Sequence, residues 1–167
     1  LQEYTEVAQK FGSWRWPVVV VSFGFFDVAL PKNAAYDSSS IAAVHRRDGI
    51  FHLAELLELQ PQKGAPLQPS AVVAAFATIA KRHGCRTLVA DGHYAEAIRE
   101  HLSKHGLALL AAPEGQGGKA ETYVIARSLL HEGRVRLPEH ARLLRQMRDV
   151  MSKPTPGGGL SITSPRR

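Results

Sequence analysis

The chain has 167 residues, of which 44% are hydrophobic and 22% are charged. These values are typical of soluble globular proteins and exclude a disordered or fibrous chain, and the length predicts one domain with a continuous core. The longest apolar run, residues 17–26, is about half as long as a membrane-spanning helix, and no signal-peptide pattern precedes it. The single cysteine, Cys85, excludes an internal disulfide and favours an intracellular setting.

The formal net charge of +6 is concentrated at the carboxyl-terminal end. Residues 1–132 hold 13 basic and 13 acidic side chains, whereas residues 133–167 hold 8 basic and 2 acidic ones. Such an asymmetry favours a polyanionic partner, because phosphates are attracted to a one-sided cationic surface. Lys153, Arg166 and Arg167 are predicted phosphate contacts, and Lys119 and the basic helix at 142–148 are further candidates. For that helix, a solvated surface face remains an equal alternative.

The hydrophobic pattern predicts strands and helices in chain order. A β-branched and aromatic run predicts a central strand, buried on both faces, over Val18–Phe26. Asp48-Gly49 predicts a type I′ hairpin between strands over Ser40–Arg46 and Ile50–Leu59. The remaining predicted elements are helices over Pro69–His83, Tyr94–His105, Lys119–His131 and Glu139–Met151, strands over Thr87–Ala90, Leu107–Ala111, Val135–Leu137 and Leu160–Thr163, and loops over 112–118 and 153–159.

This order of elements predicts an α/β protein. A hairpin followed by alternating helices and strands builds a mixed sheet, with an antiparallel hairpin side, a parallel side and helices on both faces. The ribonuclease H fold is built in this way. In such a sheet, residues at the carboxyl ends of adjacent parallel strands converge on a crevice where ligands bind.

Two aspartates follow predicted neighbouring strands of this sheet. Asp27 ends the first strand and Asp91 follows Thr87–Ala90. Adjacent carboxylates repel one another unless a cation lies between them, and oxygen ligands favour Mg2+ or Mn2+, which in a two-metal site can hydrolyse a phosphodiester. Asp37 is an auxiliary candidate, and His93 could reach the same pocket. The alternative is that each aspartate only caps a strand or a helix.

Three other signals are rejected as functional sites. Gly115–Lys119 is similar to a phosphate loop, but Pro113 and Ala120 stand where a Walker A motif needs glycine and a hydroxyl residue. His101 and His105 have zinc-helix spacing without the catalytic glutamate, so a solvated helix face is the better interpretation. Cys85 has no predicted orienting carboxylate and is interpreted as structural.

Several segments, taken together in order, resemble the nuclease domain of the large terminase subunit of tailed bacteriophages. The segments that carry the resemblance are Gly24–Ala29, Asp37–Ala42, Leu88–Tyr94, Gly118-Lys119, Gly133–Pro138 and Gly157–Ile162. The resemblance covers residues 18–167 and implies a ribonuclease H-like, metal-dependent endonuclease that cuts concatemeric double-stranded DNA during packaging. It implies Asp27 as the first metal ligand and Asp91 as the second.

The resemblance also implies an organisation and a set of partners. Residues 1–16 would be a linker or an amino-terminal helix, and residues 17–167 a nuclease domain that is incomplete at its carboxyl end, because the family's third aspartate does not occur before Arg167. The ATPase domain of the same polypeptide, the portal and the small terminase would be partners, and the infected host's cytoplasm the location. The alternatives are a catalytically weak DNA-binding domain of the motor, and another ribonuclease H-like nuclease such as a resolvase or transposase.

Overall fold

A computed structural model describes residues 18–22, 38–62, 65–90, 95–112 and 115–163. Within these ranges the chain forms four helices and eight strands. The helices are α1 (Pro69–Arg82), α2 (Ala95–Lys104), α3 (Gly115–His131) and α4 (Ala141–Arg148). The strands are β1 (Val18–Ser22), β2 (Ser39–Arg47), β3 (Ile50–Leu59), β4 (Thr87–Ala90), β5 (Ala108–Ala111), β6 (Val135–Arg136), β7 (Met151–Pro154) and β8 (Leu160–Thr163).

Six strands form a mixed sheet in the order β5-β4-β1-β2-β3-β6. β1 pairs antiparallel with β2, where Val21 lies opposite Ile41, and parallel with β4, where Val21 lies opposite Ala90. β4 and β5 are also parallel. The predicted α/β class, with its hairpin side and its parallel side, is therefore confirmed.

The predicted hairpin is present between β2 and β3. Asp48 and Gly49 both have positive φ angles, of 50° and 76°. A type I′ turn needs this conformation at both central residues, which is why the Asp-Gly pair predicts it. The main-chain oxygen of Gly49 accepts a hydrogen bond of 3.1 Å from Arg134 Nε, and β6 pairs in parallel with Phe51 and His52 beyond the turn.

The contacts divide the chain into two compact units. The sheet unit contains the described residues within 16–46 and 53–112, and the carboxyl-terminal unit contains residues 47–52 and those described within 113–167. The main core lies wholly in the sheet unit. Its members are buried side chains of β1, β2, α1, β4 and α2 and of the segments between them: Val21, Ile41, Ala43, Val72, Val73, Phe76, Ala77, Ile79, Ala80, Cys85, Leu88, Ala90, Ile98, Leu102 and Leu107.

β1 differs from its prediction in one respect. Val21 is 3% exposed, but its neighbour Val20 is 39% exposed. Successive side chains of a strand point to opposite faces, so β1 is not buried on both faces at this point. An unbroken apolar run is compatible with two covered faces but does not require them. The predicted continuation of this strand to Phe26 lies outside the described residues.

The carboxyl-terminal unit departs from prediction in three places. α3 begins at Gly115, inside the predicted glycine-rich loop. α4 is shorter than predicted at both ends: the ring of His140 accepts a hydrogen bond from Leu143 N at 3.1 Å and caps the helix start, and the helix ends at Arg148. Residues 151–154, predicted as helix end and loop, form β7, which pairs antiparallel with β8. No helix among the described residues is long and apolar enough to cross a membrane.

Candidate functional site

The carboxyl ends of β1, β3, β4 and β5 lie along one edge of the sheet. β1 runs parallel to β4, and β4 runs parallel to β5. Because β2 is antiparallel to β1 and turns back into β3, β3 runs in the same direction as β1 and the amino end of β2 lies at this edge too. We call it the catalytic-candidate edge. In open α/β sheets, ligands bind where such strand ends converge.

The two central strands end side by side. Val21 and Ala90 are partners in the parallel ladder, and they are only 3% and 1% exposed. Ser22 lies opposite Ser40, at the start of β2. The described parts of β1 and β4 therefore end at adjacent points of this edge.

The predicted acidic residues belong to the segments that follow these two strands. Asp91 is the residue after β4, and Asp27 is five residues beyond the end of β1. Asp27, Asp37, Asp91 and His93 all lie outside the described residues. Their assignment as metal ligands or pocket residues stays a prediction. The structure supplies the parallel pairing of the two strands that lead into them.

A carboxylate that sequence reasoning missed lies at the same edge. Glu58 is the penultimate residue of β3, and its Oε1 accepts a hydrogen bond of 2.7 Å from the hydroxyl of Ser38. Ser38 directly follows Asp37 in the chain. The signal was available in the sequence, since a two-residue hairpin returns the end of β3 to the start of β2. Glu58 is therefore a described acidic group that contacts the residue next in sequence to Asp37.

A second polar network lies in the sheet unit around His83, the residue that follows α1 and caps it. His83 Nε2 lies 2.8 Å from Glu55 Oε2, and His83 Nδ1 lies 3.0 Å from His45 Nε2. Arg82 forms an ion pair with the other oxygen of Glu55. The hydrogen bond from His83, together with the Arg82 guanidinium, holds the pKa of the Glu55 carboxyl below its ordinary value.

The geometry of this network indicates a structural role and not a catalytic one. Both ring nitrogens of His83 are engaged, and they join β2 and β3 to the end of α1. No group of three or more metal-ligating side chains occurs among the described residues. Sequence reasoning missed the network because its members are 28 and 38 residues apart in the chain.

The predicted DNA contacts are only partly described. Lys119 is exposed near the start of α3, and Lys153 is exposed in β7. Arg166 and Arg167 lie outside the described residues. Both lysines belong to the carboxyl-terminal unit, in which Arg145 and Arg148 of α4 are also exposed.

The rejected signals behave as ordinary structure where they are described. Gly115–Lys119 forms the start of α3 and not a phosphate loop. Cys85 is buried against the core, its thiol points to the main-chain oxygen of His83 at 3.7 Å, and burial raises the pKa of that thiol. A raised pKa keeps the thiol protonated and unreactive, which supports its structural interpretation.

Comparison with known proteins finds similarity in structure. No family model and no curated protein sequence matches the chain. The large terminase nuclease of thermophilic phage G20c is similar with a TM-score of 0.68 and 19% identity, over 90% of this chain and 73% of that one. The HK97 bacteriophage large terminase gives 0.66 and 17% over 94% and 38% of the two chains, and the large terminase nuclease domain of Thermus phage P74-26 gives 0.60 and 19% over 89% and 70%.

These similarities confirm the predicted resemblance at the level of the fold. The chain has the fold of the large terminase nuclease domain, and it spans 38% of the HK97 large terminase. The phage G20c nuclease is also similar in its structures with bound magnesium and bound cobalt, each with a TM-score of 0.62.

Proposed function

We propose that this chain is the nuclease domain of a DNA-packaging terminase and that it cuts double-stranded DNA with the aid of divalent metal ions. The observation that carries the proposal is the parallel pairing of β1 and β4, with Val21 opposite Ala90. This pairing makes the segments with Asp27 and Asp91 leave the sheet at adjacent points of the catalytic-candidate edge. The fold shared with the large terminase nucleases supports the same function.

The residue types at this edge fit a hard divalent cation. Asp27, Asp37 and Asp91 follow or approach the ends of central strands, and Glu58 adds a described carboxylate beside Ser38. Carboxylate oxygens are the ligands that Mg2+ and Mn2+ prefer, and carboxylates gathered beside a buried sheet centre repel one another without a cation. We propose that Asp27 and Asp91 hold the metal and that Asp37 assists them.

Bound divalent ions would lower the pKa of the attacking water and stabilise the charge that develops on the phosphodiester, and a pair of ions could do both. The chain's own residues have two other tasks. The carboxylates would hold the ions, and Lys119, Lys153, Arg166 and Arg167 bind phosphates along the duplex. Such contacts hold DNA without reading its sequence.

The wider setting follows from the same relatives. This chain spans 38% of the HK97 large terminase. We propose that it works together with an ATPase domain of the same polypeptide, with the portal and the small terminase as partners in the packaging motor. The infected host's cytoplasm is the compartment in which such a motor would meet concatemeric DNA.

The test is cleavage of supercoiled plasmid by the full-length protein in Mg2+ or Mn2+, with EDTA as the metal-free condition. We expect Asp27→Asn and Asp91→Asn each to abolish cleavage, because an amide supplies an oxygen without the charge that holds the metal. The matched control is Asp48→Asn at the hairpin tip, where the side chain is 88% exposed and asparagine also tolerates positive φ.

Each outcome of this experiment decides between functions. Loss of cleavage in both active-site variants, with an unchanged melting temperature and an active Asp48→Asn control, supports the proposal. Undiminished cleavage by either variant at matched purity overturns the assignment of that residue. Metal-independent cleavage overturns the proposed use of metal ions, and DNA binding without cleavage under any metal condition overturns the proposed nuclease.

A further inference from the structure

The carboxyl-terminal unit contains a groove that the proposed nuclease function does not use. It has a volume of about 860 Å³ and lies between α3, α4 and the β7–β8 ribbon. α3 packs against β8, and Ile162 of β8 lies opposite Ser152 of β7, so one face of the ribbon forms the floor of the groove. The two helices form its walls.

Much of the apolar lining of this groove is open to solvent. Val124 is 37% exposed, Leu130 39%, Met147 36% and Leu160 37%. No residue of α4 is buried. A contiguous apolar surface of this kind marks a site where another element docks, whereas single exposed apolar residues are ordinary. The groove therefore fits an occupant with an apolar face.

The walls of the groove favour a helix as the occupant. The lining of α3 runs from Tyr123 to His131, about 12 Å of helix, and Leu143 and Met147 lie one turn apart on α4. Inside a helix the main-chain groups are paired with one another, so these walls offer side chains but no hydrogen-bonding edge to an extended strand. A helix satisfies its own main-chain groups, and about two of its turns would lie along the groove.

The charged side chains of the lining select for a negatively charged partner. They are three arginines and one aspartate, with His131 beside them: Arg127, Arg142, Arg145 and Asp149. Arg142 and Asp149 each already have an interaction. Arg127 on the α3 wall and Arg145 on the α4 wall are exposed, and among the described residues neither guanidinium has a hydrogen-bonded or ion-paired partner. Carboxylates on both sides of an apolar stripe would complement these two arginines.

We propose that this groove binds an acidic amphipathic helix of another protein. The partner helix carries apolar side chains at i, i+4 and i+7, with aspartate or glutamate on both sides of that stripe. Its apolar side chains contact Val124, Met147 and Leu160, and its carboxylates pair with Arg127 and Arg145. The proposal goes beyond the nuclease proposal and does not depend on it, because none of these residues takes part in the proposed cleavage chemistry.

Two other occupants fit the groove less well. Duplex DNA would be attracted to the arginines, but an apolar floor gives nothing to a DNA backbone, whose binding is dominated by charge. A second copy of the chain, docked through this same face about a two-fold axis, would bring the arginines of the two copies toward one another. Like charges that face each other across an interface oppose association.

Binding of synthetic peptides to the full chain, followed by fluorescence anisotropy, tests the proposal. The probe is a labelled peptide of about 14 residues with leucines at i, i+4 and i+7, glutamates beside them and alanine elsewhere. One control peptide has the same composition with the leucines distributed around the helix, and the other has lysine in place of each glutamate. We expect the acidic peptide to bind with a Kd on the order of 10–100 µM, and each control at least about tenfold more weakly.

Substitutions in the groove test where the peptide binds. Val124→Glu places a carboxylate in the apolar lining and should weaken binding of the acidic peptide about tenfold or more. The double variant Arg127→Glu, Arg145→Glu should weaken binding of the acidic peptide and strengthen binding of the lysine peptide, each about tenfold.

The matched control for the double variant is Lys81→Glu with Arg86→Glu, which makes the same change of charge at two exposed residues of the sheet unit. It should leave the affinities of both peptides within about twofold of the wild type. Circular dichroism checks that each variant is folded. If Val124→Glu fails to fold, the exchange of peptide preference in the double variant decides the question, because an unfolded unit would not gain affinity for the lysine peptide.

The outcomes separate the possible occupants. Preferential binding of the acidic peptide, with its loss in the groove variants and the exchange of preference in the double variant, supports the proposal. Absence of binding at about 1 mM peptide, equal binding of all three peptides, or unchanged affinity in the groove variants overturns it. Weakened duplex-DNA binding by Val124→Glu would assign the groove to DNA. A dimer in sedimentation that Val124→Glu dissociates would assign it to a second copy, and both of these results overturn the proposal as well.

Discussion

The two units of this protein use apolar side chains in opposite ways. The sheet unit encloses them: all fifteen residues of the main core cluster belong to it, and Phe76, Ile41 and Ile98 have no exposed surface. The carboxyl-terminal unit displays them. Among the described residues, six of the eight large hydrophobic side chains that are exposed belong to it: Tyr123, Val124, Leu130, Met147, Met151 and Leu160.

This difference indicates that the sheet unit is a rigid scaffold and that the carboxyl-terminal unit offers a binding surface. A closely packed sheet holds its strand ends at fixed positions, which suits carboxylates that must share a metal. A unit with open apolar surface and exposed arginines is suited to contacts with other elements. The chain thus has its closely packed core where we propose the chemistry, and most of its exposed large apolar side chains among the described residues in the carboxyl-terminal unit.

The largest expected effect is a loss of stability in the sheet unit. Phe76→Ala should lower the free energy of unfolding by about 3–5 kcal/mol, because it removes a fully buried ring and leaves a cavity. Leu160→Ala in the carboxyl-terminal unit, where the side chain is 37% exposed, should cost only about 1 kcal/mol. Urea denaturation followed by circular dichroism measures both, and equal losses would contradict the contrast between the units.

An intermediate effect concerns DNA binding. A fourfold variant replaces the predicted phosphate contacts with alanine: Lys119, Lys153, Arg166 and Arg167. It should bind unrelated duplexes more weakly, and to an equal degree. The slope of log affinity against log salt should fall by up to about 0.9 for each phosphate that is no longer bound. Lys81→Ala, an exposed lysine of the sheet unit, is the control. Fluorescence anisotropy over a salt series measures the slope. An unchanged slope in the fourfold variant would leave these residues without a role in DNA binding.

The smallest effect concerns the Glu55 network in the sheet unit. His83 and Arg82 lower the pKa of Glu55, so the folded state favours the ionised carboxyl. Its stabilising contribution is therefore present above the unfolded pKa of about 4.3 and is lost as pH falls through the lower folded pKa. Glu55→Gln should cost up to about 1 kcal/mol at pH 7, because the ion pair is partly exposed.

The measurement is urea denaturation of the wild type and of Glu55→Gln at pH 7 and at pH 3.5. The difference in stability should be smaller at the lower pH, because the carboxyl of the unfolded state, whose pKa is the higher of the two, then takes up a proton and the contribution of the charge falls. A difference that stays constant or grows as the pH falls would mean that the charge of Glu55 does not contribute to stability.

Much of the sheet unit could be predicted because its signals are local. Asp48-Gly49 determines a turn through the conformational preferences of two residues, and Thr87–Ala90 is a short apolar run bounded by polar and glycine residues. The carboxyl-terminal unit was harder to predict. The low helix propensity of glycine predicts a loop at Gly115–Gly118, yet these residues form the first turn of α3.

Both tertiary packing and a local hydrogen bond favour the early start of α3. The cost of glycine is about 1 kcal/mol per residue inside a helix, and packing of the following turn can offset it. Ala120 is 9% exposed, and the hydroxyl of Thr122 donates to the main-chain oxygen of Gly118 at 2.8 Å. β7 was missed for a related reason: all four of its residues are exposed, so no alternating pattern could reveal it.

The sequence by itself determined the α/β class, the order of the main elements, the hairpin and the acidic residues that follow two strands. These depend on side-chain periodicity and turn chemistry within a few residues of each position. Only the tertiary structure decided the register of β1 against β4, with Val21 opposite Ala90, and the meeting of His45 and Glu55 at His83. Those contacts join residues far apart in the chain, and their free energy arises when the core packs, so no local pattern encodes them.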